Sequence, residues 1–230
     1  MEINGFLKMT LLDFPGKVAA TIFCGGCNFL CPFCHNAFLV TEREKAENFS
    51  EEEILSFLEK RQGLLDGVCI TGGEPLLQPD LEDFIRKIKS MGFFVKLDTN
   101  GYLTKKLRHL VNEGIIDYVA MDIKNSLEKY ALTVGLDKLN TDNIKESIDF
   151  LIQGKVDYEF RTTVTEEFHS LEDINAIGEL IKGAKKYFLQ NFEDSGHLIG
   201  EGLTPVSSEN LVKMQQIATD FVLNSQIRGS

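Results

Sequence analysis

The sequence predicts an α/β protein built on a parallel sheet. Short apolar, β-branched segments alternate six times with longer segments whose apolar residues recur at helical spacing. Such alternation implies parallel strands joined by right-handed crossovers. A complete eight-unit barrel needs about 250 residues, and this chain has 230. Six units therefore leave two architectures open, an incomplete barrel and a doubly wound sheet.

The elements follow one another in a regular order. The predicted strands are residues 18–23, 68–71, 93–97, 118–123, 158–164 and 187–192. The first helix begins after Ser50, which forms a capping box with Glu53, and the second begins at Pro79 and stops at Gly92. Further helices are predicted at residues 103–112, 143–153, 171–181 and 207–223. No linker or low-complexity segment interrupts this alternation.

The composition restricts the classes of function. The chain carries 35 acidic and 24 basic side chains, a net charge of −11, which argues against a nucleic-acid partner because phosphate contacts need a basic surface. No apolar run approaches the roughly 20 residues of a membrane span. The N-terminus lacks the basic and apolar regions of a secretory signal. We therefore expect residues 1–230 to form one cytoplasmic domain without a membrane partner.

Cysteine is concentrated in one short segment. Four of the five cysteines lie within eleven residues, at Cys24, Cys27, Cys31 and Cys34, and the fifth is Cys69. An odd number in a chain without a secretory signal is a poor disulfide framework. A zinc site needs two ligand pairs about a dozen residues apart, whereas one short loop can wrap an iron–sulfur cluster. The spacing favours a cluster, with zinc and buried structural thiols as alternatives.

Polar residues follow the ends of the predicted strands. They are residues 27–34, Gly73-Glu74, Asp98-Thr99, Asp122 with Lys124, Arg161 and Gln190. Parallel α/β folds bind their ligands at the carboxyl ends of the strands. The sequence therefore predicts a functional site at this edge of the sheet.

The cysteine spacing resembles a known family signature. Cys27-x3-Cys31-x2-Cys34, with the aromatic Phe33 before the last cysteine, is similar to the signature of the radical S-adenosylmethionine (SAM, S-adenosyl-L-methionine) superfamily. This resemblance implies a 4Fe-4S cluster held by the three cysteines in a cluster loop at residues 24–36, with one iron left open for SAM. The resemblance also favours an incomplete barrel over a doubly wound sheet, because the radical SAM core is an incomplete (β/α)6 barrel.

Two further segments narrow the resemblance. His35-Asn36, after the last cysteine, and residues 12–17 (LDFPGK) resemble the activating enzymes of glycyl-radical enzymes. The similarity is strongest to activating proteins of anaerobic ribonucleotide reductase, of the pyruvate formate-lyase activase type, and runs from Gly5 to about Phe192. It implies reductive cleavage of SAM and removal of a hydrogen atom from a glycine of a partner glycyl-radical enzyme. It also implies an external one-electron reductant, a flavodoxin or ferredoxin-type donor.

The resemblance assigns roles to residues that bind SAM. Gly72-Gly73-Glu74 matches an element that binds the methionine amino group. Lys124 matches a residue that contacts the SAM carboxylate or the peptide substrate. Arg161 falls where a SAM-contacting arginine is found. The implied cofactor-binding set is Phe33, His35, Gly72, Gly73, Glu74, Asp98, Asp122, Lys124 and Arg161.

A monovalent-cation site is also implied by the resemblance. Asp98, Thr99 and Asp122 match residues that hold such a cation near the SAM carboxylate in related activases. Carboxylate and hydroxyl oxygens are suitable ligands for a hard cation. We therefore expect these side chains to converge on one point of the site.

Other functions share parts of this pattern. A pyruvate formate-lyase-type activase would differ only in its partner. A small-molecule radical SAM enzyme, such as a deazapurine carboxy synthase, would share the fold and the cluster, although His35-Asn36 argues against it. A non-catalytic electron carrier would need a fourth thiolate, which Cys24 could supply.

Several residues are expected to lie outside the site. Cys24 and Cys69 stand where the family has other residues, so Cys24 is interpreted as a non-ligand and Cys69 as a buried thiol of the core. His109 and His169 are predicted to be exposed on or beside helices. His197 is predicted to lie on the surface of a loop.

Overall fold

One eight-stranded sheet organises the computed structural model, which describes residues 1–194 and 196–229. The first strand runs antiparallel to the second, and every later pair of neighbours is parallel. Within the described residues the last strand does not pair with the first, so the sheet is open. The predicted α/β fold with an incomplete parallel barrel is confirmed. In chain order the strands are β1 (Ile3–Thr10), β2 (Ala19–Cys24), β3 (Gly67–Gly72), β4 (Phe94–Thr99), β5 (Tyr118–Asp122), β6 (Asp157–Val164), β7 (Tyr187–Asn191) and β8 (Ser225–Arg228).

Helices connect most of the successive strands. The six predicted helices are present, and the last one ends at Thr219 instead of 223 because the chain turns there into β8. Two short helices, α1 and α5, lie outside the predicted set. No helix within residues 1–194 and 196–229 is long and apolar enough to cross a bilayer. The helices are α1 (Ala37–Thr41), α2 (Glu51–Glu59), α3 (Leu81–Ser90), α4 (Thr104–Asn112), α5 (Tyr130–Thr133), α6 (Asp142–Ile152), α7 (Leu171–Leu180) and α8 (Ser208–Thr219).

The strands alternate between an apolar and a polar environment. Successive side chains of a strand point to opposite faces of the sheet. One face packs into the main hydrophobic core together with residues of the helices, and it includes Ile22, Ile70, Leu97, Val119, Phe160 and Leu189. The other face carries polar side chains that contact one another across the strands, among them Thr71, Lys96, Asp98, Asp122 and Arg161. The fold thus concentrates polar groups on the concave side of the sheet.

Side chains close the amino ends of the strands. Phe14, in the loop between β1 and β2, packs with Tyr118 at a ring-centroid distance of 6.1 Å. The Tyr118 hydroxyl donates to Glu159 Oε2 (2.8 Å), and Arg228 of β8 donates to Glu159 Oε1 (2.6 Å). Because this end is filled, the carboxyl ends of the strands are the open end of the barrel.

Candidate active site

The candidate site is a cavity of about 350 Å³ at the carboxyl ends of β2 to β7. This volume lies within the range of about 300–1,000 Å³ usual for small-molecule sites. All the site residues that the resemblance assigned lie on its wall except Glu74: Cys27, Cys31, Phe33, Cys34, His35, Gly72, Gly73, Asp98, Thr99, Asp122, Lys124 and Arg161. Wall residues that were not assigned are Asp13, Phe23, Phe29, Asn36, Val40, Thr71, Asn100, Thr163 and Gln190.

Three of the five cysteines face this cavity. Cys27, Cys31 and Cys34 line it, whereas Cys24 and Cys69 are buried and absent from its wall. Within residues 1–194 and 196–229, no three His, Cys, Asp or Glu side chains converge on a single-ion site. A cubane cluster needs separated thiolates, because each thiolate binds a different iron. The donor set therefore fits a 4Fe-4S cluster better than one zinc ion.

Burial favours the protonated form of the three cavity thiols. It raises the pKa of Cys27 to about 11 and that of Cys31 to about 12, and it also raises the pKa of Cys34. The ammonium of Lys124 opposes this effect at all three thiols. Since only the thiolate is a ligand, assembly of a cluster must release these protons.

Two glycines allow the cluster loop to pack against the end of β3. The Gly73 N–H donates to the Cys24 carbonyl (2.9 Å), and the next N–H, that of Glu74, donates to the Gly26 carbonyl (2.9 Å). A Cβ on Gly73 would lie 2.0 Å from the Gly26 oxygen, and Gly72 has a φ of +112°. Neither position accepts a side chain. The glycine pair is therefore needed for packing of the cluster loop as well as for its predicted role toward SAM.

The Glu74 carboxylate is fully buried beside the cavity wall. Its Oε1 accepts from the Leu76 N–H (3.0 Å) and the Thr99 hydroxyl (2.9 Å), and its Oε2 accepts from the Asn100 N–H (2.7 Å). Burial raises the pKa of Glu74 to about 7, although these hydrogen bonds lower it. Asn100 donates in turn to Asn28 Oδ1 in the cluster loop (2.9 Å). Glu74 thus supports the turn after β4, and its contact with the SAM amino group stays a prediction.

A network of charged side chains forms another part of the wall. Arg161 donates from Nε to Asp122 Oδ1 (2.9 Å) and from Nη1 to Asp98 Oδ2 (3.1 Å). Lys124 Nζ donates to Asp122 Oδ2 (3.0 Å). Burial alone would raise the pKa of Asp122, but Arg161 and Lys124 bring it down to about 2. Both carboxylates are therefore ionised, and charge-assisted hydrogen bonds hold the cations in defined directions.

The implied monovalent cation does not fit this network. Each carboxylate oxygen of Asp98 and Asp122 already has a partner from the chain, because Lys96 contacts Asp98 Oδ1 in addition to the hydrogen bonds above. The hydroxyl of Thr99, the third expected ligand, donates to Glu74 Oε1 (2.9 Å) and accepts from the Gly101 N–H (3.1 Å). We therefore assign no role to a monovalent cation at this place.

His169 was predicted to be exposed, and this prediction is wrong. Its side chain is 3% exposed and its ring packs edge-on against Phe33, with centroids 5.9 Å apart. Nδ1 accepts from the Thr165 N–H (3.2 Å), so Nε2 carries the proton and donates to the Lys124 carbonyl (2.8 Å). The burial arises from tertiary contacts that helical spacing does not reveal. His169 thus positions both Lys124 and the cluster loop.

His109 and His197 are exposed as predicted, whereas the predicted role of His35 toward the cofactor stays a prediction. His35 lies on the cavity wall with an exposed ring stacked on Phe192, at a centroid distance of 6.1 Å and an interplanar angle of 19°. His109 is exposed and contacts Glu82 (2.9 Å), and His197 is exposed in its loop. Only His35 of these three reaches the site.

Comparison with known proteins identifies the family of this chain. The model of the Radical SAM superfamily matches residues 21–181. This chain belongs to the radical SAM superfamily. Membership implies a 4Fe-4S cluster and SAM, in agreement with the thiols on the cavity wall. A protein of Methanocaldococcus jannaschii, provisionally named a glycyl-radical enzyme activating enzyme, is 33% identical over 233 residues, which cover 98% of this chain and 95% of that protein.

Solved structures of other proteins share the fold. Streptococcus suis SuiB bound to S-adenosylmethionine superimposes with a TM-score of 0.69 at 16% identity, over 89% of this chain and 48% of that chain. A domain of the pyruvate-formate lyase-activating enzyme from Bacteroides vulgatus superimposes with a TM-score of 0.58 at 20% identity, over 71% of this chain and 99% of that chain. At these identities the likeness establishes the fold alone.

The role of His169 predicts a pH-dependent effect on stability. His169→Phe leaves the Lys124 carbonyl and the Thr165 N–H unpaired, and each unsatisfied buried group costs about 1–3 kcal/mol. Burial lowers the pKa of His169, so the wild type loses this stabilisation as the pH falls below the unfolded value of about 6.5. We expect the variant to melt below the wild type near pH 8, and the difference to narrow near pH 5.5.

Differential scanning calorimetry of the reconstituted protein, carried out in the absence of oxygen, checks this expectation. His109→Phe is the matched control, because His109 is exposed and its ion pair with Glu82 contributes little. It should follow the wild type at both pH values. A deficit of His169→Phe that is the same at both pH values would contradict the assignment of a neutral, hydrogen-bonded ring.

Proposed function

We propose that this radical SAM protein activates a glycyl-radical enzyme by taking a hydrogen atom from one of its glycines, and that the partner is an anaerobic ribonucleotide reductase. The observation that carries the proposal is that the three thiols and the charged network lie on the wall of the same cavity. The 33% identity to a protein named as an activating enzyme supports the reaction class. A formate lyase is the alternative partner.

Cys27, Cys31 and Cys34 hold the cluster in this proposal. Cys24 does not, because it is buried away from the cavity wall. A bound cluster would supply the electron that cleaves SAM into methionine and a carbon radical, and that radical would take the glycine hydrogen. Acid–base side chains do not break such a carbon–hydrogen bond. The chain itself contributes binding, orientation and exclusion of water.

The charged network orients SAM in this proposal. We assign the SAM carboxylate to Lys124, because its ammonium has two hydrogens beyond the one it donates to Asp122. The Gly72-Gly73 backbone lines the cavity, and we assign the amino group to its carbonyl groups, of which that of Gly72 also accepts from Asn36 Nδ2 (3.0 Å). The exposed, stacked ring of His35 offers a flat surface to the adenine at the rim.

A protein loop is the substrate that suits this architecture. Within the described residues β8 does not pair with β1, and a sheet that is not closed suits the entry of a glycine-bearing segment. The net charge of −11 favours a protein over a nucleic acid. We place the protein in the cytoplasm, because reduced thiols persist there and its five cysteines are free thiols. A flavodoxin or ferredoxin-type donor supplies the electron in this proposal.

Cluster ligation is tested by single cysteine variants. Replacing Cys27, Cys31 or Cys34 with Ala should abolish the brown absorption and most of the roughly four irons bound per chain after anaerobic reconstitution. Cys24→Ala and Cys69→Ala are matched buried controls that should keep both signals. If Cys24→Ala lost iron to the same extent as Cys31→Ala, the open-site arrangement would be wrong and an electron carrier would replace it.

Activation is tested with the partner protein. The purified chain, SAM and a one-electron reductant should generate a doublet in the electron paramagnetic resonance spectrum of an anaerobic ribonucleotide reductase from the same genome. The doublet should collapse to a singlet when the partner's glycine is deuterated at the α-carbon, because the splitting comes from the hydrogen that remains there. Cys31→Ala should give no signal.

Other outcomes of this experiment distinguish the alternatives. A signal only in a formate lyase would assign the formate lyase as partner. Cleavage of SAM without a radical in any glycyl-radical enzyme of the genome would refute the activase and favour a small-molecule radical SAM enzyme.

A further inference from the structure

A buried lysine outside the predicted site lies beside the SAM-binding wall. Lys96 belongs to β4, and its side chain is 2% exposed. Lysine is almost never fully buried without a charged partner. Its ammonium contacts Asp98 Oδ1 and lies 3.7 Å from the sulfur of Cys69. Cys69 is thus buried as predicted, but next to a cation.

The sheet places Lys96 and Arg161 on opposite sides of one carboxylate. Lys96 and Asp98 are two residues apart on β4 and therefore point to the same face. Arg161 reaches the same carboxylate from β6, with its Nη1 3.1 Å from Asp98 Oδ2. The Thr71 hydroxyl of β3 also donates to this oxygen (3.2 Å). Asp98 is thus surrounded by donors of the chain from three strands.

The charges of these side chains also disfavour a metal cation at this place. The contacts join two carboxylates, Asp98 and Asp122, to three cations, Lys96, Lys124 and Arg161, so the chain itself supplies the positive charge that a metal cation would bring to these carboxylates. A metal cation placed between the carboxylates would lie close to these three cations and be repelled by them.

Two other oxygen-bearing side chains near this network, Thr99 and Asp13, have partners elsewhere in the chain. The Thr99 hydroxyl donates to Glu74 Oε1 (2.9 Å). Asp13, a further carboxylate on the cavity wall, accepts from the Thr21 hydroxyl at Oδ2 (2.5 Å) and makes none of the contacts that join Asp98 and Asp122. The surroundings therefore offer an ammonium where the resemblance implies a metal ion.

We propose that Lys96, paired with Asp98, takes the place of the monovalent cation, so that this protein binds SAM without Na⁺ or K⁺. The proposal rests on SAM binding at this cavity, as stated under the proposed function. Lys96 is a positioning residue: it fixes Asp98, Asp98 fixes Arg161, and Arg161 fixes the carboxylate that holds Lys124.

Calorimetric titration of SAM into the reconstituted protein tests this proposal. The buffers contain choline, Na⁺ or K⁺ chloride at equal ionic strength, and no other monovalent metal. The wild type should bind SAM with the same dissociation constant in all three salts. Lys96→Met keeps the length of the side chain but removes the charge, and it leaves Asp98 Oδ1 with the Cys69 thiol, at 3.8 Å, as its remaining partner among the described residues, so that this oxygen can bind a metal ion. In choline it should bind SAM at least about tenfold more weakly, and Na⁺ or K⁺ should restore most of the affinity.

Two further variants separate this role from a structural one. Lys96→Arg keeps the charge and should bind SAM equally in all three salts. Lys89→Met is the matched control, because Lys89 pairs with Asp117 (2.7 Å) away from the cavity, and it should behave as the wild type. Rescue of Lys96→Met by a metal cation is a result that a merely structural lysine would not give.

The outcomes distinguish this proposal from the proposed function. Wild-type affinity that falls in choline and returns with Na⁺ or K⁺ would overturn the proposal while leaving SAM binding in place. Normal affinity of Lys96→Met in choline would overturn it too. If Lys96→Met failed to take up a cluster, the salt series on the wild type and on Lys96→Arg would still test the proposal, because it predicts the same dissociation constant in all three salts for both proteins. Absence of SAM binding by the wild type in every salt would refute the proposed function itself.

Discussion

The geometry of the cavity depends on the Arg161 guanidinium, which is hydrogen-bonded to both Asp98 and Asp122. Arg161 lies on β6, and it joins the carboxyl ends of β4 and β5 to its own strand. Partly buried carboxylates without a cation would be costly and would tend to take up protons. Because they are paired, they stay ionised and hold Lys124 in a defined direction. The same ion pairs therefore set both the charge of the cavity wall and the alignment of the strand ends.

A second set of contacts joins the cluster loop to the same strand ends. Glu74, after β3, accepts from the backbone of Asn100, after β4, and Asn100 donates to Asn28 between the first two cluster cysteines. His169 adds a link between Lys124 and Phe33. The thiols and the charged wall are thus held relative to each other before any ligand arrives. Catalysis of a radical step requires this kind of preorganisation, since the protein contributes orientation and exclusion of water.

The parallel strands and the main helices could be predicted because apolar periodicity is a local property of the chain. The edge strands could not: β1 exposes three consecutive residues, 7–9, and β8 has only four residues, so neither shows a buried alternation. Most of the residues that the resemblance assigned at strand ends lie on the cavity wall, whereas wall residues such as Phe29 and Thr163 belong to no motif. Lys96 was missed, although a lysine inside the apolar segment 93–97 was a visible signal of a buried ion pair. The burial of His169 depends on tertiary packing and left no such signal.

The central claim is that the chain's own cations prepare the wall that receives the SAM carboxylate. The most direct test is a crystal structure of the cluster-loaded protein with SAM, grown in rubidium chloride and measured at the rubidium absorption edge. We predict a SAM carboxylate oxygen at about 2.7–3.2 Å from Lys124 Nζ, and no anomalous density between Asp98 and Asp122. A rubidium ion that bridges these two carboxylates, with Lys96 displaced from Asp98, would contradict the account.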